Sequence, residues 1–216
     1  RQGPCVTERI GADAVTDTPP LLALVGPAYP NASGRCTPSA PVHPLTTERA
    51  TLNDTIAALA AGGRAAGHLG IAWAWYMLSP EWGYVWGDRA AADTYASLTR
   101  QLPSGAPALR KVVVLVTSGR FDVAHCDGIP SDAADGCPAP NGSSAEQTAR
   151  LCDAMTARGI ELFTVTAWSD GDSRAVSMLR ERCARDRQHF HAIETETGMV
   201  QAMRDIALRI SATVLH

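Results

Sequence analysis

The sequence predicts an α/β protein built on an open, mainly parallel sheet with helices on both faces. The central observation is the apolar run Val112–Val116, which contains four valines and is typical of a strand buried on both faces of a parallel sheet. Strand patterns recur at Ile160–Ala167 and His189–Ile193, and a helical pattern follows each of the three strands. This alternation predicts right-handed crossovers between parallel strands.

Length and composition restrict the classes of protein that this chain can be. Its 216 residues are 45% hydrophobic and 19% charged, which suits one globular core. The net charge of -3 argues against nucleic acid or an anionic membrane as a partner. The sequence has no apolar run of roughly 18 residues, so we expect membrane attachment, and an export signal, only through a segment absent here.

Six cysteines favour three disulfides in an oxidising compartment, because the sequence contains no Cys-x-x-Cys pair and no zinc-type spacing. Fifteen connectivities exist. Proximity in the sequence and the predicted helices favour three pairs: Cys5 with Cys36, Cys126 with Cys137, and Cys152 with Cys183.

The amino-terminal part divides into two predicted regions. Residues 1–45 are rich in proline and form a disulfide-closed arm, with a short strand at Cys5–Arg9. Residues 46–216 form the α/β domain. Its first helix begins at Thr46 or Thr47 and ends near Ala61, before Gly62-Gly63. One buried stripe is expected on this helix, formed by Leu52, Ile56 and Leu59.

The next helix is predicted to end at Leu78, because Ser79-Pro80 stops it. Residues 81–104 are then irregular. Their aromatic side chains could form an exposed recognition surface, but covering the core is the favoured role. These aromatic residues are Trp82, Tyr84, Trp86 and Tyr95.

The carboxyl-terminal half supplies the remaining elements. Residues 121–144 are a disulfide-bearing loop insertion. Ser144 and Gln147 predict a capping box for a helix that ends at Arg158, before Gly159. Two more helices are predicted, one capped by Ser173 and one beginning near Thr197. Their expected buried residues are Val176, Leu179 and Cys183 in the first, and Met199, Met203, Ile206 and Ile210 in the second.

Several segments resemble one bacterial family. Residues 67–80, Gly-His-Leu-Gly-Ile-Ala-Trp-Ala-Trp-Tyr-Met-Leu-Ser-Pro, are similar to a Trp-rich segment of TadG-like proteins, which carry a von Willebrand factor A domain. Weaker similarity covers Cys5–Arg9, Lys111–Arg120, Leu151–Val165 and Leu179–Ala184. The resemblance implies a Rossmann-like von Willebrand A fold and an association with the Tad pilus machinery.

The resemblance also implies where a metal-ion-dependent adhesion site would lie, and this sequence departs from the family pattern there. No Asp-x-Ser-x-Ser occurs, so the central first strand of that fold is not in this chain. Ala65 stands at the threonine position and Ser118 at the aspartate position of the site. Because hard cations need oxygen ligands, we predict a degenerate site and no bound metal or cofactor. Mg²⁺ binding would require other residues to complete the site.

The resemblance therefore implies a non-enzymatic module that binds a pilus or envelope protein, in the periplasm or at the cell surface. Its predicted interaction loops lie at the carboxyl ends of strands, where α/β sheets bind their ligands. They comprise Arg64, Ala65, His68, Ser118, Gly119, Arg120 and Asp122.

Three alternatives remain open. A periplasmic serine hydrolase would use Ser118, although Gly-x-Ser-x-Gly is absent. An upstream segment, or acidic residues near the same loops, would restore a metal-dependent adhesion site. A histidine pair two residues apart would bind zinc. The candidate bases of the hydrolase are His68, His125, His189 and His191. The acidic residues that could rebuild the metal site are Asp122, Asp127, Asp170 and Asp172, and the histidine pair is His189 with His191.

Overall fold

A computed structural model describes residues 6–27, 41–60, 65–130, 137–167 and 174–212. Contacts divide the chain into two compact units. The first unit comprises Arg1–Ala92 and Phe121–Gln147, and the second comprises Asp93–Arg120 and Thr148–His216. This division crosses the predicted domain boundary at residue 45.

The strands are short in the first unit and longer in the second. The strands are β1 (Val6–Thr7), β2 (Gly26–Pro27), β3 (Val112–Thr117), β4 (His125–Cys126), β5 (Ile129–Pro130), β6 (Glu161–Ala167) and β7 (Phe190–Ile193). The helices are α1 (Arg49–Ala57), α2 (Gly67–Leu78), α3 (Gly83–Trp86), α4 (Ser144–Ala157), α5 (Arg174–Met178) and α6 (Glu196–Ala212). Among the described residues, no helix combines the length and the apolar character needed to cross a bilayer.

The second unit contains an open sheet of three parallel strands in the order β3-β6-β7. The connection between each pair of neighbouring strands contains a helix, as connections between parallel strands usually do. The predicted α/β class is confirmed at this level, and the sheet is consistent with a Rossmann-like fold. The predicted three strands therefore form one layer.

β3 is not the strand buried on both faces that its apolar sequence predicted. It lies at the edge of the sheet, and Val114 and Val116 are 37% and 47% exposed. The strand buried on both faces is β6, in which every residue from Leu162 to Ala167 is buried. An apolar run predicts a β-strand. How deeply that strand is buried depends on the elements that pack against it, which the run itself does not determine.

Helix α6 packs on one face of β6 and β7. The buried residues of this layer are Phe163, Val165, Ala167, Ile193, Ala202 and Ile206, with Met199, Met203 and Ile210 partly buried beside them. The predicted apolar stripe of the last helix is therefore confirmed, because a 3.6-residue period fixes which side chains share a face.

Two predicted disulfides are present. Cys126 is bonded to Cys137, and Cys152 of α4 is bonded to Cys183 at the end of the π-helical turn Leu179–Cys183. The residues Val176, Leu179 and Cys183 are buried as predicted. Cys5, Cys36 and Ser173 lie outside the described residues.

In the first unit, α2 ends at Leu78 as predicted, and Ser79 caps the short 3-10 turn that follows it. Trp82 is 1% exposed, its ring stacks on Tyr76 at 4.1 Å, and its indole N–H donates to the Asp17 carbonyl at 3.1 Å. Trp82 therefore belongs to the core, as the favoured interpretation held. Tyr84 does not, because it is 55% exposed. Residues 80–86 are helical rather than irregular, because Pro80 suits the first position of a helix.

Helix α1 differs from its prediction. It spans Arg49–Ala57 and buries no residue. The expected buried stripe is exposed: Leu52 by 41%, Ile56 by 65% and Leu59 by 62%. The spacing of the apolar residues places them on one face of the helix, but it does not determine whether another element covers that face.

The predicted loop insertion contains a hairpin formed by β4 and β5. Its turn residues Asp127 and Gly128 have φ angles of 47° and 81°, as a type I′ turn requires. The hairpin begins at His125, which this turn and the Cys126–Cys137 disulfide hold in place.

Candidate functional site

The predicted interaction loop at the end of β3 is accessible. Ser118 and Arg120 are exposed, and Gly119 has a φ of 77°, with its N–H donating to Thr117 Oγ1 at 3.1 Å. In the part of the chain that the structure describes, no hydrogen bond joins Ser118 to a histidine. The serine hydrolase alternative therefore gains no support from the geometry of Ser118.

Two other predicted residues meet in the first unit. The Ala65 carbonyl accepts hydrogen bonds from the backbone N–H groups of Asp122 and Val123, at 2.8 and 3.0 Å. His68 is 1% exposed, and this burial does not suit direct contact with a partner. Arg64, Asp170 and Asp172 lie outside the described residues.

The structure brings together three residues that the sequence did not connect: Glu8, His68 and His125. They come from the end of β1, the first turn of α2 and the start of β4. His125 donates its backbone N–H to Glu8 Oε1 at 2.6 Å, and His125 Nδ1 lies 2.8 Å from Glu8 Oε2. His68 Nε2 lies 3.2 Å from the same Oε2 atom. We call these residues the Glu8 cluster.

Helix α4 supports the Glu8 cluster through its first turn. Ser144 Oγ lies 2.8 Å from His68 Nδ1, and Gln147 Nε2 donates to Glu8 Oε1 at 3.3 Å.

The predicted capping box is therefore displaced by one residue. Ser143 and Glu146 make its reciprocal hydrogen bonds, because the Glu146 carboxylate is a stronger acceptor than an amide.

Burial alone would raise the pKa of Glu8, whose side chain is 6% exposed. The hydrogen bonds from His125 and the contact with His68 outweigh that effect and hold the pKa of Glu8 well below its usual range. The carboxylate is therefore ionised throughout the physiological pH range, beside two imidazole rings.

The ionised Glu8 should stabilise the fold, and Glu8→Gln should lower the free energy of unfolding at neutral pH by about 1–3 kcal/mol. A carboxylate whose folded pKa is depressed stabilises above its unfolded pKa and loses that contribution as the pH falls below it. The difference between the wild type and Glu8→Gln should therefore shrink as the pH falls from about 5 to about 3.

Urea unfolding at several pH values measures that difference. Glu48→Gln serves as the matched control, because Glu48 is exposed, and it should change stability by less than about 0.5 kcal/mol. A Glu8→Gln effect that stays constant down to pH 3 would contradict the charge-based explanation.

A cleft of about 420 Å³ adjoins the Glu8 cluster. Glu8 and His125 line it, together with Arg9, Leu24 and Asp127. Arg9 is 3% exposed, and its guanidinium group lies over the rings of Tyr76 and Trp82 at 5.0 and 5.2 Å. The cleft thus gives small molecules and ions access to the edge of the cluster.

The predicted histidine pair in the second unit does not form a metal-ligand group among the described residues. Instead, His189 binds Asp186 and Glu161 at 2.8 and 2.9 Å through its two ring nitrogens. Burial lowers the pKa of His191. The contacts of His189 tie β7 to β6 rather than creating a site.

No protein-family model, characterised protein or solved structure matches this chain.

Proposed function

We propose that this chain is a non-enzymatic, extracytoplasmic protein-interaction domain of the von Willebrand A type. In this proposal it serves a TadG-like role beside pilus or envelope proteins in the bacterial periplasm or at the cell surface. Its partner contributes an extended strand that pairs with the open edge of β3. The observation that carries the proposal is this edge, together with the exposed Val114 and Val116.

The edge of β3 has the properties of a strand-addition site. Among the described residues β3 pairs only with β6, so one side of its backbone has no strand partner. Residues 112–117 carry no charge and no proline, which are the usual devices that protect an edge strand. An incoming strand would gain main-chain hydrogen bonds along this edge.

The exposed valines supply the side-chain part of the surface. In the sheet register Val114 pairs with Phe163 and Val116 with Val165, so these valines share the face of β6 that α6 covers. The apolar side chains of this face are buried on β6, whereas Val114 and Val116 of β3 are exposed to solvent. An apolar strand in the partner would cover them. The two disulfides are compatible with an extracytoplasmic location.

The degenerate adhesion site is part of the same proposal. Ser118 and Ala65 offer no carboxylate for a hard cation, so the partner binds through strand pairing and the adjoining Ser118–Arg120 loop. The alternative of a metal site completed by an upstream segment uses the same edge. In that case the strand comes from the same polypeptide.

Val114→Asp/Val116→Asp should weaken partner capture, because two carboxylates would have to be buried beneath the added strand. We expect binding of an envelope protein captured by the wild type to fall by at least about tenfold. The matched control is Val200→Asp/Leu208→Asp, because these α6 residues are also exposed, by 50% and 68%. The control should bind as the wild type does.

Hydrogen exchange on the purified complex then distinguishes strand addition from other contacts. The partner should slow exchange of the β3 amides that face away from β6. Equal binding by the two double variants, or unchanged β3 exchange, would overturn the proposal. Self-association that the β3 variant abolishes would also overturn it, because the strand would then come from a second copy.

A further inference from the structure

We propose that Glu8, His68 and His125 form a binding site for a divalent transition-metal ion, and that Zn²⁺ suits it best. Two imidazole nitrogens and one carboxylate oxygen are a donor set that zinc accepts, with a fourth position left for water or another ligand. The three ligand atoms all lie within 4.8 Å of one another. This site is separate from the degenerate adhesion site and does not depend on the strand added to β3.

Two of the three separations between the ligand atoms are close to those of a tetrahedral site. Zinc–ligand distances of about 2.0–2.1 Å place neighbouring ligand atoms about 3.3 Å apart. His68 Nε2 is 3.2 Å from Glu8 Oε2, and His125 Nδ1 is 2.8 Å from that atom. A metal would therefore widen the second distance slightly and draw in the two imidazole nitrogens, which lie within 4.8 Å of each other.

The buried Nε2 atom of His68 points to a missing ligand. Among the described residues it has no hydrogen-bond partner, because its 3.2 Å contact with Glu8 does not have hydrogen-bond geometry. The other ring nitrogen, Nδ1, faces Ser144 Oγ at 2.8 Å. A proton on Nδ1, donated to Ser144, leaves the Nε2 lone pair directed at the cluster, which is the tautomer that a metal needs.

Glu8 is held in the same way. Its Oε1 atom accepts hydrogen bonds from the His125 backbone N–H and from Gln147 Nε2, at 2.6 and 3.3 Å. Its Oε2 atom faces the two imidazoles. The carboxylate is thus arranged for binding through one oxygen, with a second shell of donors that fixes its orientation.

The ligand types also determine which ions the site selects. Imidazole nitrogens favour Zn²⁺, Co²⁺ and Ni²⁺ over Mg²⁺ and Ca²⁺, which prefer oxygen. Glu8 and His125 line the 420 Å³ cleft, which provides a path for the ion and space at its fourth position. The neighbouring Cys126 is bonded to Cys137 and so is not a competing thiolate ligand.

Zinc binding to the chelator-treated protein, without thiol reductant, tests the proposal. We expect a single Zn²⁺ with a Kd of about 1 µM or tighter in competition with a chromogenic chelator. Co²⁺ should give the visible absorption of a tetrahedral site, and Mg²⁺ should not compete. Affinity should fall on acidification, because protons compete for the imidazole nitrogens.

His125→Ala and the more conservative His125→Gln should each weaken binding by at least about a hundredfold and remove the zinc-dependent rise in Tm. His43→Ala is the matched control, since His43 is partly buried and lies outside the Glu8 cluster. Circular dichroism confirms that each variant is folded. Millimolar affinity in the wild type, or equal loss in His43→Ala, would overturn the proposal.

Discussion

Replacing Cys152 and Cys183 together by alanine should lower the free energy of unfolding by about 3–4 kcal/mol. The two cysteines are separated by 31 residues in the sequence, so their bond removes much chain entropy from the unfolded state. The side chains are 0% and 2% exposed, so the bond also fills part of the core. It joins α4 to the segment that precedes β7.

The second disulfide provides a comparison within the same chain. Cys126 and Cys137 are only 11 residues apart, so replacing both by alanine should cost about 1 kcal/mol less than the Cys152–Cys183 change. Urea unfolding in the absence of reductant measures both double variants. Equal losses would show that loop length does not determine the contribution of these bonds.

The second unit was largely predictable because its elements carry their own local signals. The apolar period of α6 identified its buried face, and Gly159, with a φ of 81°, follows α4 as predicted. Proximity in the sequence also identified the two disulfides that the structure describes. In each case residues close in the sequence determine the feature.

Predictions of burial failed where they depended on distant neighbours. The sequences of β3 and α1 each contain an apolar pattern, yet Val116 is 47% exposed and Ile56 is 65% exposed. A pattern shows which side chains share a face, and only the assembled chain determines whether another element covers that face. Among the described residues only β6 pairs with β3, so the other edge of β3 has no strand beside it there.

The Glu8 cluster was missed for a related reason. Its three members are separated by about 60 residues each, so no spacing motif connects them. The sequence suggested His68 and His125 as bases for Ser118, which belongs to the second unit. In the structure both histidines contact Glu8 in the first unit. A local signal was the overlap of two possible capping boxes, Ser143 with Glu146 and Ser144 with Gln147. The first pair makes the capping hydrogen bonds of α4, and the second pair contacts the cluster.

Trp82→Ala should destabilise the first unit by about 3–5 kcal/mol, because it removes a large side chain that is 1% exposed. The change also removes the stacking on Tyr76, the indole hydrogen bond to Asp17 and part of the surface beneath the Arg9 guanidinium. Cavity formation and the loss of the indole hydrogen bond act in the same direction, so the loss should lie at the upper end of this range.

Two further variants separate these contributions. Trp82→Phe keeps most of the apolar contact and loses the N–H donor, so its cost should be clearly smaller than that of alanine. Tyr84→Ala tests the aromatic content of the same segment at a side chain that is 55% exposed, and should cost about 1 kcal/mol or less. Thermal and urea unfolding would contradict the core role of Trp82 if Trp82→Ala and Tyr84→Ala had equal effects. Equal effects would mean that the burial of Trp82 does not set it apart from the exposed Tyr84.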